Sequence, residues 1–96
     1  MLINTVSDFR KAMRYGPYAW PGGDPMYFIT HDGGAISYEA AKAERRQIIR
    51  AIGHDEKFSG WRIVARDVNW EDTQLTCDHT GKRIESAYGG DDGDDT

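Results

Sequence analysis

The sequence predicts a single α+β domain in which one short and one long helix pack on a small antiparallel sheet of two hairpins. Two segments with apolar residues at helical spacing, near residues 6–15 and 37–52, alternate with segments rich in β-branched and aromatic residues. At 96 residues the chain is long enough for one modest core. We therefore expect one domain over residues 1–88, followed by a disordered acidic tail over residues 89–96.

The short helix is predicted from about residue 6 to residue 15. Thr5 offers a capping oxygen, Val6, Phe9 and Met13 recur at roughly helical spacing, and Gly16 ends the pattern.

A loop rich in proline, glycine and aromatic residues follows at residues 15–25. It holds all 3 prolines of the chain, which excludes a helix or a central strand. Because a flexible linker would not normally carry so many aromatic side chains, we expect the loop either to pack back on the domain or to present a contact surface. Tyrosine and tryptophan are favoured anchors in interfaces, and the candidate partner-binding residues are Tyr15, Tyr18, Trp20 and Tyr27.

The first hairpin is predicted at residues 26–36. Residues 26–30 have strand composition, His31-Asp32-Gly33-Gly34 has the composition of a tight turn, and Ala35 with Ile36 makes a short return. The turn lacks both the Lys-Ser/Thr pair of a phosphate-binding loop and the alternating carboxylates of a calcium loop. We therefore expect a turn that binds neither phosphate nor calcium.

The long helix is predicted from the N-cap residue Ser37 to about residue 52, with Gly53 closing it. One face carries an apolar stripe that includes Ile48 and Ile52. The other face is basic, and is either a solvated surface or a surface that contacts phosphates. In the second case the candidate nucleic-acid-binding residues are Lys42, Arg45, Arg46, Arg50, Lys82 and Arg83.

The last predicted elements lie after residue 60. Residues 61–68 alternate as a strand, which places Ile63 and Arg66 on opposite faces. Residues 75–77 and 83–88 then form the arms of a second hairpin around Cys77-Asp78-His79-Thr80-Gly81.

Composition limits the classes of function. The net charge of -4 comes from the tail, because residues 1–90 hold equal numbers of acidic and basic side chains. The body therefore lacks the basic surplus of most nucleic-acid-binding proteins. No stretch approaches the roughly 20 apolar residues that span a bilayer, the first residues lack a secretory pattern, and a single cysteine cannot form an internal disulfide. We expect a cytoplasmic protein without membrane association.

Four positions have the spacing of a structural zinc site. The pairs 37/40 and 77/80 would make two CxxC motifs if Ser37, Ala40 and Thr80 were cysteines, but only Cys77 carries a thiol. The pattern resembles a zinc-ribbon or treble-clef domain that has lost three of four cysteines. This resemblance implies the shape of a small zinc domain without the ion, so we expect no metal and no other cofactor, with Cys77 as a small buried residue.

Residues 18–23 and 77–88 also resemble segments of small uncharacterised bacteriophage proteins that carry the complete cysteine set. The resemblance implies an origin in a mobile element. We expect a non-catalytic interaction protein of the host-cell cytoplasm, whose partner is a host protein or protein complex. Stoichiometric inhibitors of host defence complexes, such as anti-CRISPR proteins, belong to this class. The alternative is a zinc-free nucleic-acid-binding module descended from a zinc finger.

An enzyme is not expected, and no catalytic residue is assigned. Cys77 and His79 lie two residues apart, but no third group is identifiable that would orient them. The paired carboxylates lie in polar surroundings where their pKa values need not move.

Overall fold

The structure is a computed structural model that describes residues 1–19 and 23–87. These residues form three helices and one four-stranded antiparallel sheet, so the predicted α+β class is confirmed. Trp20 and residues 88–96, with the predicted acidic tail, lie outside the described residues. No helix in the described part of the chain is long and apolar enough to cross a membrane.

Helix α1, Val6–Tyr15, has the predicted ends. The Thr5 hydroxyl accepts the backbone N–H of Asp8, and the Asp8 carboxylate accepts the backbone N–H of Thr5, so a capping box closes the N-terminus. Gly16 ends the helix with a φ of 85°, in the left-handed region that favours glycine. The buried face carries Phe9 and packs on the sheet.

Strand β2, Asp24–Thr30, lies at the centre of the sheet. It pairs with strand β4, Ile63–Val68, along one edge. Strands β1, Tyr18–Ala19, and β3, Ala35–Ser37, share its other edge. Two hydrogen bonds show why β1 and β3 lie on the same edge of β2. The backbone N–H of Met26 donates to the carbonyl of Pro17, before β1, and that of Thr30 donates to the carbonyl of Gly34, before β3. Residues an even number apart point these groups to the same side of a strand. The predicted first hairpin is confirmed as β2 and β3. The prediction that residues 15–25 contain no part of a central strand is wrong, because β2 begins at Asp24 and includes Pro25 next to β1.

The outer edges of the sheet are covered by irregular chain. The backbone N–H of Ile3 donates to the carbonyl of Val64, and that of Arg66 to the carbonyl of Met1, so the first residues run along β4. On the opposite side of the sheet, the backbone N–H of Asp78 donates to the carbonyl of Ala35 in β3.

A β-bulge changes which residues of β4 face the core. Ala65 lies opposite Ile29, whereas Ile63 lies opposite Thr30, so β4 has one more residue than β2 at this point. Cross-strand partners share a face of the sheet, and Arg66 lies opposite Phe28. Ile63 and Arg66 therefore both share the face of Phe28. The prediction that they lie on opposite faces is wrong, because regular alternation does not allow for a bulge.

The predicted long helix is two helices. Helix α2, Tyr38–Ala43, and helix α3, Arg45–Gly53, meet at Glu44, whose φ of -109° and ψ of 26° are not helical. Between residues 42 and 47 the only apolar side chain is an alanine, so a continuous helix would present a turn with little to bury. Ala41 of α2 and Ile48 of α3 are both fully buried.

Residues 69–87 form an irregular segment, in which the two arms of the predicted second hairpin pair at their centre but form no regular strands. Within this segment, the arms share one isolated bridge, between Thr76 and Arg83, and form no strand. Asn69 is 3% exposed and holds the segment together. Its side-chain amide donates to three carbonyls, those of Asp72, Ile84 and Glu85. This buried side chain adds to the backbone hydrogen bonds between the two arms, in which Cys77 donates to the carbonyl of Lys82 and Ile84 to the carbonyl of Leu75.

The core lies between the helices and the sheet. Phe9 of α1 packs on Phe28 of β2, with ring centroids 5.8 Å apart. Cys77 and Ile84 join the same cluster from the irregular segment. In the described part of the chain, nearly all of the buried apolar residues form one cluster.

Candidate functional site

A groove of about 280 Å³ lies where the end of α1 meets the sheet, and Tyr15, Tyr18, Ala19 and Arg66 line it. Tyr15 is the last residue of α1, and Gly16 turns the chain directly into β1, which begins at Tyr18. The two tyrosines are 59% and 47% exposed. The structure therefore brings together two of the predicted partner-binding residues, Tyr15 and Tyr18. We call this surface the tyrosine groove.

Tyr27 is not among the residues that line the tyrosine groove. Strand alternation places it on the face opposite Phe28, across from Asp67 of β4. It packs against the core and is half-buried. Burial, followed by the charges of Asp67 and Asp72, raises the pKa of Tyr27. Trp20, the remaining predicted anchor, lies outside the described residues.

Tyr18 is fixed at the rim of the groove by Glu85. Its hydroxyl donates to Glu85 Oε1 over 3.1 Å. This hydrogen bond and the charge of the carboxylate raise the pKa of Tyr18. One negative charge therefore stands at the rim.

Arg66 is the buried member of the tyrosine groove, at 9% exposure. Its Nη2 donates to the carbonyl of Gly16, 3.4 Å away at the end of α1. The carbon of its guanidinium lies 5.4 Å from the centre of the Tyr15 ring. A helix C-terminus and an aromatic face both attract positive charge.

The charge of Arg66 is only partly compensated. Within residues 1–19 and 23–87, its buried Nε has no hydrogen-bond partner and no carboxylate forms an ion pair with it. Burial lowers the pKa of Arg66, and the charge of Tyr15 opposes this effect. Sequence reasoning missed this residue because only the bulge in β4 reveals that it faces the core.

The four positions with zinc-site spacing converge in the structure. Cys77 is 1% exposed, and its Sγ accepts the backbone N–H of Ser37 over 3.4 Å. Ser37, Ala40 and Thr80 line one groove beside this sulfur. The turn that carries Cys77 is closed by two backbone hydrogen bonds, from Gly81 to Cys77 and from Cys77 to Lys82.

The surroundings of Cys77 favour its thiolate. Burial raises the pKa of the thiol, but the backbone N–H of Ser37, the hydroxyl of Thr80 and the backbone N–H groups of His79 and Thr80 outweigh burial and lower it to about 7. A zinc site needs four ligands. Among the residues that the structure describes, no three His, Cys, Asp or Glu side chains come together as metal ligands.

His79 is engaged away from Cys77. Its ring stacks on Trp61 with centroids 3.6 Å apart and an interplanar angle of 8°. Its Nε2 lies 3.0 Å from the carbonyl oxygen of Gly60, which assigns the ring proton to Nε2. The ring of His79 is therefore held against Trp61 and Gly60.

The six basic residues of the alternative site lie in separate groups. Lys82 and Arg83 line a groove of about 310 Å³ that also contains Glu39. Arg45 and Arg46 line another with Glu44. The Nε of Arg50 lies 3.7 Å from a carboxylate oxygen of Glu56, and Lys42 is exposed. The break at Glu44 and the intervening carboxylates divide the basic stripe that the sequence predicts.

Comparison with protein-family models, with curated proteins and with solved structures finds no match to this chain. Its function is inferred below from its own residues.

Proposed function

We propose that this protein is a non-catalytic binding domain that acts by stoichiometric binding of a host protein or protein complex. The observation that carries the proposal is the tyrosine groove, in which two half-exposed tyrosines flank a buried arginine. Tyrosine and arginine are enriched among the residues that dominate binding energy at interfaces. Inhibition of a host defence complex is the form of binding that the resemblance to phage proteins favours.

The tyrosine groove is held in place before any partner arrives. Tyr18 is bonded to Glu85, and the carbonyl of Gly16 accepts a hydrogen bond from Arg66. The carbonyl of Pro17 accepts the backbone N–H of Met26. A surface that is already ordered loses less conformational entropy on binding. The groove is thus suited to bind a partner without refolding.

The state of Cys77 supports a non-catalytic role. Its pKa is lowered to about 7, as in a nucleophile, but the residue is buried at 1% exposure. A nucleophile needs both access to substrate and a positioned base. Cys77 has neither access nor the help of His79, which is stacked on Trp61.

The proposal is tested by capture from bacterial lysate with three tagged proteins. These are the wild type, the double variant Tyr15→Ala with Tyr18→Ala, and Phe58→Ala as the matched control. Phe58 is 87% exposed, so this control removes an exposed aromatic ring that does not line the tyrosine groove. We expect the wild type and the control to retain one protein partner in a constant ratio, and the double variant to lose it.

The affinity of the purified pair gives the quantitative test. Tyr15→Ala should weaken binding by about 2 kcal/mol, as at an interface hot spot. Thermal melts of each variant show that the fold is retained. Equal capture by all three tagged proteins would contradict a role for the groove.

A second candidate function is the binding of single-stranded nucleic acid. The groove that contains Lys82 and Arg83 adjoins a groove lined by Trp61 and His79, since Ala40 and Thr80 border both. Basic residues beside an aromatic surface are typical of single-strand binding. Glu39 lies in the first groove and Glu44 in the second. Their repulsion of phosphates makes this the weaker candidate.

Fluorescence anisotropy with a labelled single-stranded oligonucleotide tests the second candidate. The double variant Lys82→Glu with Arg83→Glu is compared with Arg10→Glu with Lys11→Glu, which makes the same charge change on the exposed surface of α1. This function requires an affinity that falls with salt and that only the first variant loses. Absence of salt-dependent binding by the wild type would exclude it.

A further inference from the structure

We propose that the tyrosine groove receives a carboxylate side chain from an acidic segment of the protein partner, with Arg66 as its counter-ion. This inference rests on the proposed function, whose site it uses. It adds the chemical class of the group that the partner presents.

The first argument is the uncompensated charge of Arg66. Arg66 is 9% exposed. Burial of a charge is unfavourable unless a counter-charge or hydrogen bonds replace the lost contacts with water. The groups that compensate it here are one carbonyl at 3.4 Å and one aromatic ring. Its Nε has no partner among the described residues. Arg62, which directly precedes β4, instead donates from its Nε to Asp55 Oδ1 over 3.3 Å. The Nε–H of Arg66 is therefore still available as a donor, whereas the Nε–H of Arg62 is already paired with Asp55.

The second argument is the chemistry of the guanidinium. Its N–H groups form a planar fork that matches a carboxylate in two parallel hydrogen bonds. The Tyr15 ring lies over the guanidinium and is 59% exposed, and exposed side chains change rotamer within nanoseconds. Movement of Tyr15 therefore opens the side of the guanidinium over which its ring lies. Tyr18 stays at the rim through its bond with Glu85 and limits the access of water to the ion pair, which strengthens it.

The third argument is the size and charge of the groove. Its volume of about 280 Å³ lies just below the range of small-molecule sites, and so suits one side chain of a partner. Glu85 places a negative charge at the rim through its bond with Tyr18. That charge opposes every anion at the groove, but it repels a doubly charged phosphate more strongly than a singly charged carboxylate.

The experiment follows the Nε–H resonance of Arg66 by NMR in the full-length protein. The probes are a blocked peptide of alternating glutamate and glycine and a matched peptide with glutamine in place of glutamate. We expect the glutamate peptide to shift the Arg66 resonance in a saturable way and the glutamine peptide to leave it unchanged. The resonance of Arg62 is the internal control and should not move, since its Nε is already paired.

Variants of Arg66 complete the test. Arg66→Met should weaken binding of the glutamate peptide by roughly tenfold or more, because it removes a charge-assisted pair. If that variant does not fold, Arg66→Lys keeps the charge without the planar fork and should weaken binding by a similar factor. Unchanged affinity in the folded variant would overturn the proposal.

Three further results would also overturn it. They are equal shifts with both peptides, no saturable shift with either, and a larger shift with a single-stranded oligonucleotide than with the glutamate peptide. A variant of the 96-residue chain with asparagine at the four tail aspartates tests whether carboxylates of the chain itself occupy the tyrosine groove. If this change moves the Arg66 resonance of the free protein, the tail and not a partner is the occupant. The replaced residues are Asp91, Asp92, Asp94 and Asp95.

The outcomes separate this inference from the proposed function. If the groove variants lose the captured partner while the glutamate peptide leaves Arg66 unmoved, the proposed function stands and the carboxylate site is wrong. If the peptide shifts Arg66 while capture does not depend on the groove, the carboxylate site stands and the proposed function is wrong.

Discussion

The backbone N–H of Ser37 donates to the sulfur of Cys77 over 3.4 Å, and so joins two residues that are 40 positions apart in the chain. Ser37 is the N-cap of α2, where its hydroxyl accepts the backbone N–H of Ala40. The two half-sites that the sequence spacing defines therefore face each other in the folded protein.

Restoring cysteine at Ser37, Ala40 and Thr80 together should create a zinc-dependent fold. The three positions line one groove beside Cys77, and four thiolates complete a tetrahedral site. Zinc should raise the free energy of unfolding by several kcal/mol, since structural zinc contributes on the order of 10 kcal/mol to small domains. Thermal melts with zinc and with chelator measure the effect.

The matched control for the zinc variant moves one cysteine. It carries Ala43→Cys in place of Ala40→Cys, which keeps the number of thiols but breaks the spacing. Zinc should stabilise this control much less. If the first variant shows no dependence on zinc, the convergence of the four positions does not have metal-site geometry.

The stability of the wild type should rise relative to Cys77→Ala between about pH 7 and pH 8.5. Folding lowers the pKa of Cys77 to about 7, whereas a thiol in the unfolded chain has a pKa of about 8.5. Between these values the unfolded state binds more protons, so the contribution of Cys77 grows as pH rises. This contribution to stability is fully present above the pKa of the thiol in the unfolded chain. It is lost as the pH falls through about 7, the pKa in the folded protein.

Urea unfolding in the presence of a reductant, at a series of pH values, measures this difference. At each pH, the free energy of unfolding of Cys77→Ala is subtracted from that of the wild type. This subtraction cancels the contributions of the other titrating groups. A difference that stays constant with pH would show that the hydrogen bonds to the sulfur do not favour its thiolate.

Asn69→Ala should destabilise the protein by about 2–4 kcal/mol. The change removes three donated hydrogen bonds and leaves the carbonyls of Asp72, Ile84 and Glu85 short of a donor, and an unsatisfied buried group is costly. Gln74→Ala, at an exposed position of the same segment, should change stability by less than about 0.5 kcal/mol. Chemical denaturation compares the two. Equal effects would mean that Asn69 does not hold the segment.

Gly34→Ala should be destabilising, whereas Gly53→Ala should not. A Cβ at Gly34 would lie 2.0 Å from Asp78 Oδ2 and 2.9 Å from Thr30 Oγ1, so the side chains of Asp78 and of the buried Thr30 would have to move, at about 1–3 kcal/mol. At Gly53 the nearest atom is a methyl carbon of Val6 at 3.8 Å, and alanine favours a helix by up to about 1 kcal/mol.

A second substitution checks the cause at Gly34. Asp78→Ser should restore part of the stability that Gly34→Ala loses, because it shortens the side chain that the new methyl group meets. Additive effects of the two changes, measured by thermal denaturation, would locate the strain elsewhere.

The parts of the fold that are predictable from the sequence are those set by neighbouring residues. Thr5 and Gly16 define the ends of α1 because capping is a local interaction, and the glycines after Asp32 define the turn of the first hairpin. The break at Glu44 depends on which side chains α2 and α3 can bury against the rest of the domain, and the irregular segment depends on the distant contacts of Asn69.

The candidate site was predictable only in its local part. Tyr15 and Tyr18 stand three residues apart on either side of a glycine turn, so their proximity follows from the sequence. Arg66 lies about fifty positions further on and joins them through the pairing of β4 with β2 and through a bulge. A bulge carries no fixed residue signature, and strand alternation therefore gave the wrong face for this arginine.

Irregular chain covers the outer edges of the sheet. This cover limits the ways in which another protein could bind to the sheet. Exposed strand edges are templates on which peptides add as new strands and from which fibrils grow. Along β4 and along β3 the edge groups described above are already bonded to residues 1–3 and to Asp78. Strand addition by a partner, or between two copies of the chain, would first have to displace these segments. We therefore expect a partner that leaves the fold intact to contact side chains and not the strand edges.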